Sequence, residues 1–259
     1  EWEIDSTAKV YTFRLRNASF HNGKPLAADD VVYSLNRLRD AKVASPGSWV
    51  VEDIASLRTV DASTVEIVLK RPNSTFLSLL AMPFCSVVPK DEITLTKSPV
   101  GTGPFKFHVW HYGEKLVLHK NETYWRIDGD GAQLPYLDGI SISFLTDQQS
   151  TFLEYLRGNF DFLPNLDPSF KDDLLTKQGA LQERYAAEHT LMRSPFLNTE
   201  YLVFNATRPL PKDLRWAINA SIDRKEMITA LRNGVGVPAT GGIIPAGLQG
   251  YQPGIGIGY

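Results

Sequence analysis

The chain has 259 residues, 27 of them basic and 29 acidic, for a formal net charge of −2. So even a balance gives no electrostatic case for a nucleic-acid partner, and no uninterrupted apolar run approaches the roughly 18 to 20 residues that a membrane span needs. A hydrophobic fraction of 43% excludes a disordered chain, and the length predicts one or two domains with a real core. The single cysteine, Cys85, permits no internal disulfide and leaves the compartment open. It reads as a small buried hydrophobe rather than a nucleophile.

In chain order, Glu1 to Asp5 reads as strand. Tyr11, Phe13 and Leu15 alternate with Thr12, Arg14 and Arg16, the period of a sheet with one buried face. His21-Asn22-Gly23 predicts a turn. A helix follows, with Asp29 and Asp30 in its first turn, where negative charge suits the helix dipole. Its apolar stripe is Val31, Leu35 and Leu38. Ala41 to Ser48 is a polar connector, and Val50 to Val60 shows apolar spacing too short to assign. Thr64 to Leu69 predicts a strand with Val65, Ile67 and Leu69 inward. Phe76 to Ala81 predicts a short helix ended by Pro83, and Phe84 to Val88 a strand.

Two glycines and two prolines from Ser98 to Phe105 mark a fixed loop and a domain boundary. Phe105 to His119 predicts a hairpin around Tyr112-Gly113, with Lys106, His108 and Trp110 opposing Lys115, Val117 and His119. Asn121 to Trp125 and Gly129-Asp-Gly131 are loop, and Ile140, Ile142 and Phe144 a strand. Asp147 predicts the cap of a helix to Gly158, with Phe152, Leu153 and Leu156 inward. Phe160 to Phe162 predicts a strand, and Asp167, Pro168 and Gly179 bracket a helix. Leu202 to Phe204 predicts a short strand. Asp213 to Ile222 and Asp223 to Asn233 predict two helices, the second with capping-box spacing at Asp223 and Glu226 and a stop at Gly234. From Gly241 the chain is rich in Gly and Pro. Strands alternating with helices make the class α/β.

No motif argues for catalysis. Gly101-Thr-Gly103 lacks the Gly-Lys-Ser/Thr of a phosphate loop and reads as a structural turn, and Gly254, Gly256 and Gly258 precede no helix. His108 and His111 point to opposite faces of a strand, so with His119 they read as surface hairpin histidines rather than metal ligands. Asp29 and Asp30 point about 100° apart on a helix and read as structural rather than as an acid–base pair. Asp172-Asp173 reads as a solvated helix face. There is no Gly-x-Ser-x-Gly and no nucleophile arrangement.

The opening stretch also carries a resemblance. Tyr11, Phe13, Leu15 and Arg16, then Phe20, His21, Gly23, Pro25, Ala28, Asp30, Val31 and Ser34, resemble the signature of the family 5 extracellular solute-binding proteins, which bind peptides, nickel or other solutes for ABC transporters. Ala27 departs from it, because a hydroxyl cap is usual there, and losing such a cap costs about 1 kcal/mol. The resemblance continues through Pro99, Gly101-Thr-Gly-Pro-Phe105, Asn121, Tyr124-Trp125, Pro135-Tyr-Leu-Asp138 with Ile140, and Gly158 with Asp161. It runs on to Asn205, Asp213-Leu-Arg215, Ala217-Ile218 and Ile222-Asp-Arg224.

The resemblance implies a type II periplasmic-binding-protein-like fold of two α/β lobes. Residues 1–97 would be an accessory subdomain of lobe one, 98–200 part of lobe one, and 201–259 the hinge crossing and the start of lobe two. Strand character at the first residue, no initiator Met and the Gly-rich close predict an excised piece of a longer chain, lacking a leading segment and much of lobe two. The implied function is capture of oligo- or dipeptides and delivery to a membrane permease. Nickel-chelate or haem binding in the same family is the alternative, with an α/β hydrolase as the reading from another class. Ligand-binding candidates are Trp49, Phe84 and Cys85, and hinge candidates are Tyr201, Leu202, Val203, Phe204 and Asn205. Family members that bind metal chelates carry a basic residue near Phe84, and its absence here argues against nickel. Residues for the peptide termini would lie mostly in the other half of the protein. No catalytic residue, metal or cofactor is expected, and the protein would act as a monomer in the periplasm, or as a lipoprotein outside a cell that lacks an outer membrane.

Overall fold

The computed structural model describes residues 1–90, 97–164, 167–176, 180–194, 196–232 and 235–255. The chain divides into two compact units, Glu1–Thr146 and Asp147–Tyr259.

The first unit holds two antiparallel sheets. One has strand order β1-β2-β4-β3, from Trp2–Ile4 (β1), Val10–Arg14 (β2), Ile54–Asp61 (β3) and Thr64–Leu69 (β4). Tyr11 stands opposite Ile67 and Phe13 opposite Val65, so the alternation read in β2 and β4 lands on one shared face. That face is covered by helix α1 (Ala28–Arg37), whose Leu35, with Leu38 just past its end, is buried against Val65, Ile67 and Leu69. Helix α2 (Phe76–Leu80) adds Phe76, whose ring meets Tyr11 edge-on at 5.1 Å. The Tyr11 hydroxyl donates to the Asn73 carbonyl at 2.6 Å, so burying this tyrosine leaves no polar atom unpaired.

Strand β3 escapes sequence reading for a physical reason. Its pairing with β4 slips by one residue at both ends, at Ala55 and at Val60, and each extra residue breaks the period-two pattern. Residues 84–88, expected as strand, instead begin with a 3-10 turn over Pro83–Cys85.

Asp30 ties α1 to its surroundings. Its carboxylate is 1% exposed and accepts from Lys24 Nζ at 2.8 Å, the Lys90 amide at 2.7 Å and the Ala27 amide at 3.0 Å. The last bond is half of a capping box. It satisfies the donor at the helix start although Ala27 has no side chain to complete the other half. One turn on, Ser34 Oγ donates to the Asp30 carbonyl at 2.7 Å and accepts from the Val88 amide at 2.9 Å. The helix is therefore pinned to residues 88–90. Before it, Gly23 has φ +85°, which an L side chain would resist.

The second sheet has order β5-β6-β7, from Phe105–His111, Lys115–Lys120 and Gly139–Ser143. The expected hairpin is present with one correction. His108 is an extra residue in β5, so Val109 rather than His108 faces Val117, and Trp110 faces Leu116.

In the second unit, α3 (Gln148–Leu156) starts as expected, with the Ser150 amide donating to Asp147 at 2.6 Å. Phe152 is buried and stacks on Phe170 at 4.5 Å, whereas Leu153, expected inward, is 44% exposed. Phe160 to Phe162 forms no strand, and Phe162 is exposed. Asp167 does cap the next element, accepting from the Ser169 amide at 2.8 Å. That element is only a 3-10 turn, Pro168–Phe170, running into the single-turn α4 (Lys171–Leu174). It stops early because Leu175 turns extended and bridges to Leu181. The glycines expected to end helices here, Gly179 and Gly234, lie outside the described residues. Another single turn, α5, spans Glu183–Ala186. Helices α6 (Lys212–Ala220) and α7 (Arg224–Arg232) match the sequence reading, and the Glu226 amide donates to Asp223 at 2.9 Å.

Burial pushes the Asp30 carboxyl up, but the bonds from Lys24, Lys90 and Ala27 outweigh it and hold the group below its ordinary value. A depressed carboxyl stabilises the fold fully above its unfolded pKa, and that contribution is lost as pH falls through the folded one. Asp30→Ala strands two backbone amides and should cost about 3 kcal/mol in urea unfolding at neutral pH. As pH falls below about 4, the wild-type urea midpoint should drop more steeply than that of Asp30→Ala. Parallel curves would refute the assignment.

Candidate functional site

Trp49 and Phe84 are both presented by 3-10 turns of the first unit. Trp49 sits in the turn Ser48–Val51, where Val50 and Val51 are buried, so their anchoring turns Trp49 outward, 48% exposed. Arg39 Nη2 braces that turn, donating to the carbonyls of Val51 at 2.7 Å and Ile54 at 2.9 Å. Phe84 is 37% exposed, while Cys85 beside it faces the core and points its thiol at the Leu79 carbonyl, 3.7 Å away. Burial pushes the Cys85 thiol up, which keeps it protonated and poor as a nucleophile. Of the three predicted ligand-binding residues, two are thus exposed surface and the third belongs to the core.

Gly47, read in the sequence only as part of a polar connector, packs directly on Phe84. The Pro46-Gly47 pair signals a turn, but nothing in it foretells which side chain the turn will meet.

Tyr201 to Asn205 form no strand, and Tyr201, Leu202 and Val203 are largely exposed. Asn205 instead closes a turn, accepting from the Thr207 amide at 2.8 Å. Phe204 lines an open recess of about 300 Å³ with Lys212, Arg215, Trp216 and Asn219. A larger recess of about 510 Å³ lies among Asp172, Leu175, Thr176, Gln182 and Glu183, and it holds none of the predicted site residues.

The Gly101-Thr-Gly103 stretch is held by four bonds to two distant residues, one of them from the His21 amide to the Gly101 carbonyl at 2.9 Å. His21 Nε2 lies 3.0 Å from the Gly103 carbonyl, and the Gly101 amide lies 3.3 Å from His21 Nδ1. A carbonyl can only accept and an amide N–H can only donate, so this arrangement requires the neutral ring with its proton on Nε2. Asn121, 1% exposed, donates its Nδ2 to the same Gly103 carbonyl at 2.9 Å. The Arg16 guanidinium lies over the Trp125 ring at 3.9 Å. These residues are structural fasteners.

His108 and His119 stack at 4.0 Å, both exposed. Among the described residues no group of three or more His, Cys, Asp or Glu side chains could hold a metal, and no helix is long and apolar enough to cross a membrane. Asp29, adjacent to Asp30, is engaged with Thr59 at 2.9 Å and Lys90 at 3.5 Å.

The sequence description of the bacterial extracellular solute-binding proteins, family 5 (middle), matches residues 1–258. The chain belongs to this family. A dipeptide-binding protein of Escherichia coli K12 is 28% identical over 97% of this chain and 50% of its own length. Heme-binding protein A of Haemophilus influenzae is 29% identical over 94% of this chain and 47% of its own. Among solved structures, the periplasmic binding protein AgaA of A. tumefaciens R10, in complex with agropinic acid, superposes with a TM-score of 0.77 at 28% identity, over 97% of this chain and 50% of that one. The Helicobacter pylori protein DppA, in complex with the peptide STSA, gives 0.60 at 29% identity, over 67% and 38%. The fold class is thus that of type II periplasmic binding proteins, α/β, as expected from sequence. This chain spans about half the length of the curated relatives it matches. Both relatives are named as binding proteins.

Two measurements test these placements. His21→Ala and Asn121→Ala should each cost about 1–2 kcal/mol. Because both donate to one carbonyl oxygen, the double variant should deviate from additivity by more than about 0.5 kcal/mol. Additive losses would show that the two bonds are independent. The Cys85 thiol should react with a disulfide reagent only after urea unfolding, and rapid labelling of the native protein would contradict its burial.

Proposed function

We propose that this chain forms part of the ligand-capturing component of an ABC importer whose ligand is a short peptide. The observation that carries the reading is the match over 97% of the chain to a dipeptide-binding protein, seconded by the fold shared with a peptide complex at 29% identity. The exposed pair Trp49 and Phe84 supports it from the side of chemistry. Aromatic faces give large contact area at small entropic cost, and a cleft for peptides of varied sequence needs surfaces that contact without demanding one partner.

In this reading residues 1–97 form the accessory subdomain of lobe one and residues 98–200 part of lobe one. Tyr201 to Asn205 cross the hinge, and the chain to 259 begins lobe two. Ligand favours the closed state by binding it more tightly than the open one, and the closed form is recognised by the permease. The protein works as a monomer in the periplasm, or anchored outside the membrane. A second reading, haem binding, is favoured by the relative from Haemophilus influenzae at 29% identity. Hydrolysis has no comparable support, since the relatives are named for what they bind.

The test is calorimetry on the full-length protein with Ala-Phe, glutathione, haem and a nickel–histidine complex, alongside native mass spectrometry of whatever co-purifies. Peptide bound at micromolar strength or better is the expected result, and haem or nickel–histidine alone would replace the reading. A charged peptide terminus needs a buried partner, and those partners are assigned here to the other half of the protein. Residues 1–259 by themselves should therefore bind Ala-Phe far more weakly than the full protein, and micromolar binding would overturn that assignment.

A further inference from the structure

The exposed aromatics Trp49 and Phe84 both depend on one glycine. A Cβ placed on Gly47 would stand 2.4 Å from Cβ and Cγ of Phe84 and 2.9 Å from its Cδ2, far inside the distance at which carbon atoms attract. The backbone angles do not demand glycine, since φ −92° and ψ 8° are open to any L residue. The contact does. It also falls on the stem of Phe84, so turning the ring cannot relieve it. Nor is Phe84 free to withdraw, because Pro83 precedes it and Cys85 after it is anchored in the core. Gly47 is at the same time the N-cap of the turn that carries Trp49, and its carbonyl accepts from the Val50 amide at 3.1 Å.

We propose that Gly47 is a positioning residue: by letting Phe84 lie on its backbone, it sets the spacing of the Trp49–Phe84 wall and so the size of ligand side chain the wall accepts. This rests on the peptide-capture reading above.

The test uses full-length protein labelled with 5-fluorotryptophan, the Trp49 resonance being assigned with Trp49→Phe, and the dipeptides Ala-Phe and Ala-Ala as probes. In the wild type, Ala-Phe should bind and shift the Trp49 resonance. Gly47→Ala should move that resonance in the free protein and weaken Ala-Phe by about tenfold while affecting Ala-Ala less. On a Phe84→Gly background, Gly47→Ala should change neither the resonance nor the Ala-Phe to Ala-Ala ratio, because the residue it acts through has gone. That pair also serves if Gly47→Ala alone does not fold. An unchanged ratio in Gly47→Ala, or an equal effect with Phe84 removed, overturns the proposal while leaving peptide capture intact. A wild type that binds neither dipeptide overturns the functional reading and this proposal with it.

Discussion

A buried carboxylate organises the first unit. Removing Asp30 from water is unfavourable unless each lone pair meets a donor, and the donors come from three separate stretches: the turn at Lys24, the start of α1 at Ala27 and the segment at Lys90. None can move away without leaving charge unpaired. The group therefore specifies where the turn, the helix and the chain after Cys85 sit. It also explains how Ala27 is tolerated where a hydroxyl cap is usual. The donor at the helix start is met from inside the helix, and the missing side chain costs only the reciprocal bond.

The same economy appears at Gly103, whose carbonyl takes one bond from His21 and one from Asn121. Three blocks that identify the family in sequence, around residues 21, 101 and 121, turn out to be one fastening. Their separation along the chain hides this. A carbonyl with two lone pairs lets a loop rich in Gly and Pro be held in one conformation without a side chain of its own. The stretch that resembles a phosphate cradle is held at both ends by protein.

How much of this was legible in the sequence depends on where tertiary contacts overrule local pattern. β2, β4 and α1 were readable because their apolar periods survive intact onto a common face. The caps at Asp147, Asp167 and Asp223 were readable because capping is local. β3 and the register of the β5–β6 hairpin were not, since bulges at Ala55, Val60 and His108 each insert a residue that period counting cannot anticipate. The short apolar runs at Phe84, Phe160 and Leu202 read as strands because three to five apolar residues suit a strand or an irregular segment equally. The candidate site shows the same limit. Trp49 and Phe84 could be picked out by resemblance, but Cys85 could not be sorted from them, because adjacent residues on a 3-10 turn face opposite ways. The contact of Gly47 with Phe84, 37 positions away in sequence, has no local signal at all.

The doubled bulge of β3 matters beyond its effect on reading the chain. Among the described residues β1 and β3 are the two outer strands of their sheet, and an outer strand offers unpaired amides and carbonyls to any passing chain. β1 spans only Trp2–Ile4, too short to seed much pairing. β3 is longer, but each extra residue throws its outer edge out of straight alignment. A second molecule laid against that edge would find a few bonds in register and then a mismatch. Such a strand resists becoming the template for an aggregate.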